Sequence, residues 1–169
     1  MKGQGKRISL GLSILALCAL AVYQTYSIVR LKDQIEMVNP TVSRSIQHGL
    51  VQLEMEISYQ QQHHWDSAGQ IIHDIQDVMD AIGITYEAAQ YTGTLTESDR
   101  ASLWELHQYL YAFAENKATH DLTLNEDDRK SFERLRAKLR ENGWGANIGF
   151  SSDWNDFMRR VRNLLSRSE

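Results

Sequence analysis

The chain has 169 residues, 42% of them hydrophobic and 24% charged, with a formal net charge of −4. That length suits one domain of ordinary size plus a short accessory segment, and that composition excludes a disordered or fibrous chain. One proline and ten glycines are too few turn formers for an all-β fold or an array of βαβ units, so long helices are expected. The single cysteine, Cys18, rules out an intramolecular disulfide and a cysteine-rich metal centre.

The net charge conceals three blocks. Residues 1–40 carry five basic and two acidic side chains, residues 41–128 three basic and fifteen acidic, and residues 129–169 ten basic and five acidic. The basic end is expected to fold against the acidic middle, with an anionic lipid surface as the alternative.

From Ile8 to Val29 no residue is charged. As a helix this run would be about 33 Å long, the thickness of a bilayer's hydrocarbon core. Tyr23 and Tyr26 followed by Arg30 and Lys32 make an interfacial ending, and Lys2, Lys6 and Arg7 bias the N-terminus toward the cytoplasm. The expectation is an uncleaved signal-anchor over residues 1–38 that holds an extracytoplasmic body, residues 39–169. Two alternatives are export after cleavage near Ala21, where Ala19-Leu20-Ala21 offers an A-x-A site, and a reversed topology with a cytoplasmic body.

Beyond the anchor, Asn39-Pro40 is a good N-cap and first helical position. Val42, Ile46, Leu50, Leu53 and Ile57 recur at spacings of three and four, and so do Ala68, Ile71, Ile75, Val78, Ile82 and Ala89. Both are stripes that must be buried against other helices. Between them lies the polar run from Ser58 to His64. A single helix over residues 41–91 would be about 75 Å long, too long for the helices that follow to cover. It either projects as a stalk or turns back through a break near residues 63–66, where Ser67 and Gln70 have capping-box spacing; the sequence leaves one helix or two open and leans to the break.

Thr96 with Asp99 caps the next helix, whose buried positions are Leu103, Leu106, Leu110 and Phe113. Asn125 opens another, carrying Phe132, Leu135 and Leu139 up to Gly143. Ser152 and Asp153 precede the last, with Trp154, Phe157, Val161 and Leu164 facing inward. The fold class expected is all-α: one transmembrane helix followed by an antiparallel bundle of four or five amphipathic helices with heptad-like, coiled-coil seams.

The most chemical-looking group is His63, His64, Asp66, His73, Asp74 and Asp77, within which His63, His64, His73 and Asp77 suggest a metal-binding or metal-dependent helical domain as an alternative function. It lacks the Glu-x-x-His pairs of carboxylate-bridged bundles and the His-Glu-x-x-His of zinc peptidases, so a solvated polar face is the plainer expectation. The Gly143–Phe150 loop is not a dinucleotide fingerprint. It reads as a tight turn that tucks Trp144, Ile148 and Phe150 onto the bundle, or else presents them to a partner. No Gly-x-Ser-x-Gly occurs, and the basic helices lack interleaved exposed aromatics, so neither catalysis, a cofactor nor nucleic-acid binding is expected. The expected function is that of an interaction, adaptor or structural module at the cell envelope, embedded in the bilayer through residues 8–29. It would act by self-association or on a protein partner, using Ile46, Leu50, Leu53 and Ile57 or Trp144, Ile148 and Phe150.

Overall fold

The computed structural model describes residues 20, 22–27, 43–115, 124–147 and 149–166. The chain divides into two compact units, Met1–Val38 and Asn39–Glu169. In the first, residues 22–27 are helical, and Leu20, Val22, Tyr23 and Tyr26 are all more than half exposed. Most of the anchor segment expected over Ile8–Val29, together with the Asn39-Pro40 helix start, lies outside the described residues. Among the described residues no helix is long and apolar enough to cross a membrane.

The described part of the second unit is helix and connecting turn, with no strand. Helix α1 covers residues 43–62; α2 is Gly69–Thr92, α3 Glu97–Ala114, α4 Glu126–Glu141 and α5 Trp154–Ser166. The periodic residues are what the bundle buries. Ile46, Leu50, Leu53 and Ile57 on α1 have no exposure, and neither do Ile71, Ile75 and Val78 on α2, Leu103, Leu106 and Leu110 on α3, or Phe132, Leu135 and Leu139 on α4. Phe157, Met158, Val161 and Leu164 complete the core from α5. Phe113 and Trp154, also expected inside, pack against this core only in part.

The break between α1 and α2 is present, but it is built differently from expectation. His64 and Trp65 both have positive φ, 57° and 65°, and the Trp65 N–H reaches back to the carbonyl of Gln60 at 2.9 Å. The Gln60 side chain then closes the turn, accepting from the Ser67 N–H at 3.0 Å and donating to Glu56 at 2.7 Å. No Ser67–Gln70 capping box forms. The N-cap is Ala68, without a side-chain bond, because Gln60 has taken the orphan donor and Gln70 donates to Asp74 instead.

The other boundaries follow the local chemistry. Thr96 accepts from the Asp99 N–H, and Asn125 with Asp128 makes a reciprocal capping box. At the end of α4 the Gly143 N–H bonds Arg140 and the Trp144 N–H bonds Leu139, a Schellman motif with Gly143 at φ 89°. Asp153 accepts from the Asn155 N–H to start α5.

Candidate interaction surface

Four residues expected at a partner contact lie inside the described bundle. Ile46, Leu50, Leu53 and Ile57 are fully buried in the bundle's own core cluster, where α2 packs against α1. Gly49 makes this packing close: a Cβ there would stand 2.7 Å from Cγ2 of Val78. Trp144 is also withdrawn, at 1% exposure, held by the Schellman turn. Ile148 lies outside the described residues. Phe150 alone remains on the surface, 49% exposed, with its ring edge-on to His48. Its loop is fixed to α1 by the buried Gln47 amide, which donates to the Ser151 carbonyl and accepts from the Ser151 N–H, both at 2.9 Å.

The metal candidates are not brought together. His63 lies flat on Tyr59, with ring centroids 3.8 Å apart, and its Nδ1 is 2.8 Å from the Tyr59 carbonyl. His73 and Asp77 form an exposed pair at 3.6 Å, while His64 sits on the turn. Among the described residues no three metal-ligating side chains converge.

The charge blocks do meet, at the α1–α4 contact. Glu54, whose side chain is 2% exposed, accepts from Nε of Arg136 at 3.0 Å and from Nη1 of Arg140 at 3.2 Å. Arg136 also donates to Gln61. A second contact joins the start of α3 to α5, where Asp99 accepts from the Trp154 indole at 3.2 Å and from Arg162. Both carboxylates have their partners within the chain, so these clusters hold the bundle together rather than offer a site.

What stays uncovered is apolar in two places. On α1 the outward positions His48, Gln52, Met55, Tyr59 and Gln62 are exposed, with Met55 and Tyr59 at 50% and 52%. From Ser45 to Gln62 every exposed position on this helix is uncharged. The second place is the α2–α3 surface. Trp104, 54% exposed, stacks nearly parallel on His107 at 5.3 Å and lies 6.4 Å from Tyr86. Ile84 and Tyr111 are exposed on the same two helices. Exposed carboxylates of Asp80, Glu87 and Glu105 accompany them. Met55, Tyr59, Ile84, Trp104 and Tyr111 are large aromatic and apolar side chains that the described part of the bundle leaves in water. Sequence periodicity passes over these residues because they fall outside the buried stripe; the available sign was Met55 and Tyr59 four apart on a face otherwise polar.

Compared with known protein families, with curated proteins and with solved structures, the chain has no match.

Proposed function

We infer that the chain is a single-pass membrane-anchored helical protein that works by binding protein at the cell envelope, with no chemistry of its own. The observation that carries the binding half of this reading is Trp104, more than half exposed and stacked on His107, on a surface bearing Asp80, Glu87 and Glu105. Tryptophan is among the side chains most enriched at the energetic centres of interfaces. A partner offering basic and apolar side chains suits that surface. The anchoring half rests on the uncharged run Ile8–Val29 and on the exposure of Leu20, Val22, Tyr23 and Tyr26, apolar residues that lipid would cover.

Three measurements test the reading. A photo-reactive residue replacing Trp104 in cells should yield a discrete protein adduct, and its absence at every level of expression sinks the binding claim. Alkaline extraction should leave the full chain in the membrane fraction, and protease added outside intact cells should reach the body. A freely diffusing product that starts at Val22 overturns the anchor.

A further inference from the structure

The outer face of α1 names one partner for that reading. His48, Gln52, Met55, Tyr59 and Gln62 are spaced 4, 3, 4 and 3, the a and d positions of roughly two and a half heptads. All five are exposed, while the buried stripe of the same helix runs through Ile46, Leu50, Leu53 and Ile57. One helix thus carries two seams, one spent on its own bundle and one open. We propose that the open seam pairs in parallel with the same face of a second copy of this chain.

Charge selects that occupant. A two-fold contact sets identical patches against each other, so it is disfavoured wherever a face carries one sign. The outer positions of α2 include Asp77, Asp80 and Glu87, and those of α3 Glu97 and Glu105; α4 exposes both signs, and on α5 Arg159 and Arg162 are already paired with Asp156 and Asp99. The α1 seam carries no charge. In a parallel pair its flanks set Val51 across from Glu56 and Ser58 across from His63, so no like charges meet there either. Ser58, a short residue at one flank, leaves room for a second helix beside Tyr59. Glutamines and histidine at core positions fix register at a cost in stability, so the pair is weak in free solution and depends on the high local concentration of chains held in one membrane. To that extent the pairing rests on the anchored reading above.

The test uses the full chain in its membrane, with Cys18→Ser and single cysteines introduced as Gln52→Cys, Met55→Cys or Tyr59→Cys. Gln76→Cys and Ala101→Cys, exposed on α2 and α3, serve as references. Under mild oxidation the three α1 positions should give disulfide-linked dimers and the references should not. Adding Met55→Glu and Tyr59→Glu to the Gln52→Cys chain should cut its dimer by about tenfold or more, through like-charge repulsion, with helical circular dichroism unchanged. Absence of dimer at all three positions, or equal dimer at the references, overturns the proposal. If the dimer forms but alkali releases the chain from the membrane, the seam stands and the anchor falls. If the chain stays in the membrane and Trp104 gives adducts while no α1 dimer forms, the seam falls and the interaction module stands.

Discussion

Gly49 and Val78 occupy space that only one of them can fill. The methyl group of a Gly49→Ala variant would meet Val78 Cγ2 at 2.7 Å, so α1 and α2 must separate or Val78 must leave its rotamer. The expected loss is about 1–3 kcal/mol, read as a lower midpoint in urea with an unchanged slope. Asp74, on the same pair of helices, is perturbed chiefly by burial. Burial raises its pKa above 3.8; the hydrogen bond from Gln70 opposes this, and the carboxylates of Glu56 and Asp77 add to it. Between 3.8 and the raised value the native state keeps a proton that the unfolded chain has released, so stability falls as pH rises through that window, and the deficit persists at neutral pH. Asp74→Asn cannot ionise and retains the Gln70 contact. Its melting temperature should exceed that of the parent at pH 7, and the difference should close once the pH drops below 3.8. A difference that stays constant with pH contradicts the assignment.

At the scale of the helix, ends are set by single side chains. Asn125 accepts from the Asp128 N–H at 2.9 Å, and Asp128 returns a weaker contact to the Asn125 N–H at 3.4 Å. Glu126, Asp127 and Asp128 fill the first turn, and Lys138 and Arg140 the last, each sign at the favourable end of the helix dipole. Asn125→Ala should therefore cost about 1 kcal/mol, measured by thermal melting, and Asn125→Ser should recover most of it. These ends were legible because a cap involves residues two or three apart. The end of α1 was not, since it depends on Gln60 reaching Ser67 and on two non-glycine residues, His64 and Trp65, in the left-handed region. Nothing in their types advertises that conformation; Trp65 accepts it while packing its ring against Phe132.

For the molecule as a whole, the joint between the acidic and basic parts of the chain is Glu54 with Arg136 and Arg140. The geometry is asymmetric: the carboxylate is 2% exposed, whereas the arginines are 26% and 51% exposed. Replacing both arginines by methionine leaves a buried carboxylate without its partners and should cost about 3–5 kcal/mol. Glu54→Met frees two guanidiniums that can turn into water, and should change stability by about 1 kcal/mol or less. Equal losses from the two variants in urea unfolding would show that the carboxylate is not the vulnerable member. Such a joint could be foreseen only as a tendency, because charge blocks in a sequence do not say which carboxylate goes inside.

The residues alone determined that this chain is helical, where most helices start and stop, and which stripe of each is buried, since capping and a 3.6-residue period act over a few positions. Only the tertiary structure decided what those stripes bury against. It set Ile46, Leu50, Leu53 and Ile57 inside the bundle, sealed Glu54 beneath arginines 82 and 86 residues away, and left Met55, Tyr59, Trp104 and Phe150 in water. Exposure is the part of a helix that no other helix covers, and that is settled by contacts between segments far apart in the chain.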